Sequence, residues 1–143
     1  MNRVFPIAAI VFALIGLGDS IYLTVNHLTA TPVPCSLVSG CETVLTSEYA
    51  EIAGVPLAAF GALGYFAAFS LAVLALYGST TSWKLFGALT AAMALVSLGL
   101  LYLQAFVIGA FCQFCLLSAA TSFSLFIAFL LSKFLRKKAD LKP

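Results

Sequence analysis

Charge is what this sequence has least of. Seven Lys and Arg and five Asp and Glu make up 8% of its 143 residues, where a soluble domain carries about 25%. So few charges exclude an ordinary water-soluble globule, a chain kept disordered by charge, and a nucleic-acid binder with a basic stripe. No internal repeat is present, no A-x-A cleavage site follows the first apolar run, and residues 26–56 contain no Lys or Arg. What is abundant is apolar surface: 63% of residues are hydrophobic and the mean hydropathy is +1.13.

The apolar residues fall in four runs, Val4–Val25, Leu57–Tyr77, Lys84–Ile108 and Cys112–Leu131, of 22, 21, 25 and 20 residues. At about 1.5 Å per residue each is long enough to cross a hydrocarbon core of about 30 Å. Backbone in lipid must satisfy its own hydrogen bonds, so the runs are read as helices. The expected fold is an all-α integral membrane bundle of four transmembrane helices, a single domain over residues 1–143. Residues 26–56 form its one long polar loop, and residues 132–143 a basic tail.

The basic residues then set the orientation. Arg3 precedes the first run, Lys84 stands between the second and third, and Lys133, Arg136, Lys137, Lys138 and Lys142 follow the fourth. Four crossings put all of them on one side, which the positive-inside rule makes the cytoplasm. Both termini are therefore expected inside, with the 26–56 loop and the 109–111 turn outside. Cleaving the first run as a signal peptide would carry the basic tail outward, so it is read as a span. The tail itself reads as an anchor beside anionic lipid.

All four cysteines map to the outer side, where disulfides persist. Cys35 and Cys41 lie in the polar loop among Thr, Pro, Ser, Gly and Glu. Cys112-Gln113-Phe114-Cys115 opens the fourth run, with no polar loop around it. One pair faces water and the other lies at the lipid surface, with Cys115 expected deeper than Cys112. That is the arrangement a thiol-to-lipid electron relay requires. Cys112 at a helix N-terminus favours a thiolate. Ser39-Gly40-Cys41-Glu42 reads as a capping box for a short surface helix over 40–53, stopped by Gly54 and Pro56. A purely structural Cys35–Cys41 disulfide is the alternative. The C-x5-C and C-x2-C spacings do not make a paired zinc ribbon, and no metal is expected.

Polar residues within the spans have two readings each. Asp19 is an intramembrane carboxyl, which marks it as a functional candidate: it relays protons or bonds a carbonyl of an oxidant dissolved in the bilayer, or it makes a packing bond to Ser or Tyr on a neighbouring helix. His27 reads as a solvated interfacial residue, with a proton carrier as the second reading. Gln104 and Tyr102 read as interhelical glue, with contact to the bilayer oxidant as their second reading, and Ala58, Gly61, Ala62 and Gly64 as a small face for close packing. Phe106, Phe111 and Phe114 surround the C-x-x-C, as pocket walls or as lipid-facing rings.

Cys35-x5-Cys41, Glu42-Thr43-Val44-Leu45-Thr46-Ser47, Gly54-Val55-Pro56, Gly61-Ala62-Leu63-Gly64-Tyr65 and Cys112-x-x-Cys115, in that order, resemble the vitamin K epoxide reductase family, in its bacterial branch. The resemblance runs from about Gly18 to Ser118. Disulfide bond protein B has a similar plan, but its C-x-x-C comes in the first outer loop. The resemblance implies a four-helix bundle in a bacterial inner membrane, holding a quinone (ubiquinone, menaquinone or phylloquinone) beside the C-x-x-C. It implies that Cys35 and Cys41 take electrons from a thioredoxin-like partner, that Cys112 exchanges with them, and that Cys115 faces the quinone together with Phe111, Phe114 and Asp19. Ser47 matches the Ser or Thr that helps hold the loop segment. The chain ends at Pro143 with no thioredoxin-like domain after the bundle, so the partner is expected to be a separate protein. Ala119 stands where vertebrate members have Tyr, and the second run lacks their Asn, departures that bear on epoxide reduction and vertebrate-type ligand contacts and leave quinone reduction untouched. The readings of other classes are a disulfide bond protein B-like oxidase and a non-enzymatic scaffold braced by static disulfides.

Overall fold

A computed structural model describes residues 2–142. Four long helices account for most of them: α1 (Val4–Leu28), α3 (Leu57–Leu76), α4 (Thr80–Tyr102) and α5 (Gln113–Asp140). Between α1 and α3 lie a short helix, α2 (Cys41–Leu45), a 3-10 turn (Glu48–Ala50) and a hairpin of β1 (Glu51–Ile52) and β2 (Val55–Pro56). A π-helical segment, Leu103–Ile108, prolongs α4. Each of the four long helices is apolar and long enough to cross a membrane.

Local chemistry marks the element ends. Gly78 takes the left-handed conformation (φ 104°) just past the end of α3, the position where a Cβ is least tolerated. One residue on, Ser79 Oγ accepts the Ser82 N–H at 3.2 Å and caps α4, so this helix starts four residues before the apolar run does. Helix α1 runs on to Leu28. Helix α5 begins one residue after Cys112, which is its extended N-cap, and carries the basic tail in its last turns.

The loop helix is much shorter than the 40–53 expected. Thr46 Oγ1 donates to the Glu42 carbonyl and Ser47 Oγ to the Val44 carbonyl; such side-chain bonds compete with a continuing helix. Beyond them, Ala53 and Gly54 both have positive φ, 53° and 78°, the two-residue turn that closes a hairpin. It sets Glu51 opposite Pro56 and Ile52 opposite Val55. The expected Ser39 cap is also absent: Gly40 is the N-cap, and no side chain bonds there.

Helices α1 and α4 each pack against both α3 and α5, closing a four-membered ring. A few large side chains, Tyr65, Trp83, Phe86 and Leu125, fill the core, and small or polar residues make up much of the rest. Ala9, Ala13, Ala68, Ala72 and the polar Ser20, Thr90, Thr121 and Ser122 are buried, while Val11, Leu63, Phe66 and Leu95 face outward. In lipid, apolar side chains gain little by turning inward, so small residues and hydrogen bonds hold the helices together. Gly16 shows the close approach most clearly: a Cβ there would collide with the Tyr65 ring, which lies against α1 and reaches α5. At the other end Trp83 Nε1 donates to Ser132 Oγ at 2.8 Å.

Candidate functional site

The loop between α1 and α3 folds over the end of the bundle where the π segment meets α5. There the four cysteines gather. Cys41 and Cys112 are fully buried in one cluster with Val44, and Cys35, Cys115, Ile108, Ala110 and Phe114 pack against it. Cys35 and Cys41 form a disulfide, with Cα atoms 6.0 Å apart. Cys112 and Cys115 are free thiols.

Three residues that sequence reasoning did not single out as site residues build this junction. Gly40 rests on the backbone of the turn before Cys112. A Cβ on it would lie 2.6 Å from the Phe111 carbonyl oxygen and 2.8 Å from its nitrogen, so only glycine allows Cys41 to sit this close. Gln113 holds the other limb of the loop: its Oε1 accepts the N–H groups of Ser36 at 3.2 Å and Leu37 at 2.9 Å. Gln104, read as interhelical glue, instead fixes the turn. Its main-chain oxygen accepts the Ala110 N–H at 3.1 Å and its Oε1 accepts the Cys112 N–H at 3.0 Å. The π segment that positions it ends at Gly109, φ 70°; π turns inside helices recur at functional sites. Their only sequence signals were a Gln between two cysteines, a Gly before one, and a Gln inside an apolar run.

Cys112, at the tip of the turn and outside the membrane-crossing helix, is poised as a thiolate. A hydrogen bond from the Cys115 thiol, aided by the Cys115 and Phe114 N–H groups at the start of α5, pulls its pKa down to about 7 against the opposing effect of burial. A thiolate here lies in the same buried cluster as Cys41 of the loop disulfide.

Beside the cysteines lies a cavity of about 720 Å³, walled by α1, α3, α4, α5 and the loop. Cys115 is in its wall and Cys112 is not. Leu89, Met93, Val96 and Leu100 make much of it apolar, and Ser47 and Gln104 also line it. Also in its lining, His27 Nε2 on the last turn of α1 meets Glu51 Oε1 of the hairpin at 2.6 Å. The expected quinone contacts are thus only partly gathered. Cys115 reaches the cavity, but Phe111, Phe114 and Asp19 do not line it. Phe114 is turned instead onto Tyr22 of α1, ring centroids 5.3 Å apart, and Phe111 lies in the turn under Gly40. Asp19 is buried, and neither carboxyl oxygen has a hydrogen-bond partner among the described residues, so the packing bond to a neighbouring Ser or Tyr is not made.

Two comparisons bear on this geometry. Residues 7–130 match the sequence model of the vitamin K epoxide reductase family. The thiol-disulfide oxidoreductase LTO1 of Arabidopsis thaliana is 37% identical over 118 residues, covering 76% of this chain. The chain spans only 31% of the length of that relative.

Proposed function

The chain belongs to the vitamin K epoxide reductase family, and from that premise we propose that it is a membrane thiol oxidoreductase. It passes electrons from a reduced thioredoxin-like protein, through its two cysteine pairs, to a quinone dissolved in the bilayer. The observation that carries this reading is the continuity of sulfur from the loop to the cavity: a loop disulfide packed on Cys112, and Cys115 in the wall of an apolar chamber. Arg3, Lys84 and the basic end of α5 lie at the opposite end of the bundle from the loop. We therefore assign the loop to the extracytoplasmic side and both ends of the chain to the cytoplasm.

The exchange runs in balanced steps. A partner thiolate attacks the Cys35–Cys41 disulfide, and the partner's second thiol resolves the mixed disulfide, leaving an oxidised partner and two loop thiols. Cys35 is the point of attack, because Cys41 is fully buried against Cys112. The Cys41 thiolate then attacks Cys112 of a Cys112–Cys115 disulfide, and Cys115 departs as a thiolate. Cys35 displaces Cys112, which restores the loop disulfide and leaves the C-x-x-C reduced. A closed loop disulfide above two free thiols is the pattern present here.

The residues present suit a quinone: the chamber falls within the 300–1,000 Å³ of small-molecule sites, its wall is largely apolar, and Cys115 is part of it. When bound, a quinone supplies a two-electron, two-proton acceptor. Cys115 presents its sulfur to the chamber, and Gln104 holds the Cys112 end of the turn in place. Ser47 closes the loop helix and lines the chamber. Asp19, with no hydrogen-bond partner among the described residues, is assigned the holding of a proton on α1.

The test uses purified protein, a reduced thioredoxin-like protein and a soluble ubiquinone followed optically. Cys115→Ala is expected to abolish quinol formation while the mixed disulfide with the partner still forms. Undiminished quinol formation in that variant overturns the reading.

A further inference from the structure

Below the cysteines, hydroxyl groups of α3 and α5 converge on one point. The phenol oxygen of Tyr65 lies 2.5 Å from the Ser118 main-chain oxygen and 3.0 Å from Ser118 Oγ. Thr121 Oγ1 is 2.7 Å and Ser122 Oγ 2.8 Å from it. A phenol donates one proton and accepts about two, so four neighbours exceed what it can satisfy.

The protons distribute accordingly. The Ser118 carbonyl can only accept, and it takes the Tyr65 proton. Thr121 Oγ1 also lies within donating distance of that carbonyl, at 2.8 Å, beside the Ser122 N–H that the carbonyl accepts as part of α5. The protons of Ser118 and Ser122 are left with the Tyr65 oxygen as their one acceptor among the described residues. Both serines also line the cavity. Turning one of these protons into the cavity exchanges one acceptor for another, and the phenol keeps a bond from the other serine. An acceptor atom in the cavity is thus offered a donor at little cost in protein hydrogen bonding.

The placement is as specific as the chemistry. Cys115, Ser118 and Ser122 share one face of α5 at i, i+3 and i+7, and all three line the cavity. Along the helix axis Ser118 lies about 4.5 Å and Ser122 about 10.5 Å beyond Cys115. The opposite wall is mostly apolar, with Leu89, Met93, Val96 and Leu100, and Ser97 is the one α4 hydroxyl in the described lining.

We propose that this hydroxyl cluster is the polar anchor of the cavity, in which Ser118 or Ser122 donates a hydrogen bond to a carbonyl oxygen of the bound quinone and so holds its ring beside the Cys115 sulfur. Tyr65 and Thr121 are positioning residues that fix the two serines. The inference rests on the thiol-to-quinone relay proposed for this chain and names the ligand atom recognised.

The test is infrared difference spectroscopy of a ubiquinone carrying ¹³C at its carbonyls, bound to the detergent-solubilised full chain. The bound carbonyl band is expected below its frequency in empty micelles. In Ser118→Ala with Ser122→Ala the band should return toward the micelle value and the Kd should rise ~10-fold, the weight of one hydrogen bond. Each single Ala variant guards against misfolding of the pair, and Ser118→Thr, which keeps the hydroxyl, should keep the shift. Dithiothreitol should reduce the Cys35–Cys41 disulfide at an unchanged rate throughout. A bound quinone with an unshifted band, or a shift that survives in the double variant, overturns the anchor while leaving the relay standing. A chain that binds no quinone overturns the relay and the anchor together.

Discussion

At the scale of single residues, the chemistry turns on Cys112. The Cys115 thiol hydrogen bond holds the pKa of Cys112 below that of an ordinary cysteine. Once the loop disulfide is reduced and the loop gives the reagent access to buried Cys112, its alkylation should therefore rise with pH through a midpoint below the ~8.5 of an ordinary cysteine. The Cys115→Ala variant removes the principal donor to that sulfur, so its midpoint should move upward toward the ordinary value. Rate-versus-pH profiles with iodoacetamide, resolved by mass spectrometry, check both; an unmoved midpoint in Cys115→Ala shows that the thiol hydrogen bond does not set the ionisation. The four cysteines were legible in the sequence because their spacing and span parity are local quantities. Gly40, Gln104 and Gln113 were not. Gln113 matters because it accepts the N–H groups of Ser36 and Leu37, more than seventy residues away. Gly40 matters because it touches the backbone of Phe111. No periodicity reports such a pairing. Asp19 was legible as unusual, and its position away from the cavity wall was not.

At the scale of elements, the loop is held to the C-x-x-C turn by two devices of different kinds, a steric fit at Gly40 and a carboxamide clamp at Gln113. Gln113→Leu removes the acceptor of two exposed N–H groups that water then recovers, so the fold should lose only about 1 kcal/mol. The Cys35 limb, however, should loosen. Amide exchange at Ser36 and Leu37 should accelerate several-fold relative to the rest of the loop, a measurement that mass spectrometry of the intact chain provides. Exchange unchanged at these two amides would show that the limb is held by something else. The long helices were readable because hydropathy over twenty residues sums to a strong signal. The 40–53 segment misled because a helical stripe and a Ser-x-x-Glu pattern outlast the helix itself. Side-chain bonds from Thr46 and Ser47 end it after five residues, and the Ala53-Gly54 turn pairs Glu51 and Ile52 with Val55 and Pro56 as a hairpin.

At the scale of the whole molecule, two faces of one architecture serve two solvents. Small and polar residues, packed around Tyr65, Trp83, Phe86 and Leu125, hold the bundle from within, and many other aliphatic and aromatic side chains face outward to lipid. The same inward polarity supplies the hydroxyls below Cys115 and the carboxamide above Cys112. The loop, free of Lys and Arg, lays its disulfide on the C-x-x-C turn, and the cavity opens on the other side of the same turn. The sequence was enough for the four-helix class because composition and charge placement are global properties. The cavity needed the three-dimensional arrangement, since its wall draws on α1, α3, α4, α5 and the loop at once.

The relay depends on electrons crossing between Cys41 and Cys112, the two cysteines buried together. Two variants of the full chain isolate that step: Cys35→Ala with Cys115→Ala leaves only Cys41 and Cys112, and Cys41→Ala with Cys115→Ala leaves only Cys35 and Cys112. Under the same mild oxidant, peptide mapping should find a near-complete intramolecular Cys41–Cys112 disulfide in the first and at least tenfold slower bridging in the second. Equal or faster bridging through Cys35, or no bridge from Cys41, would contradict the route.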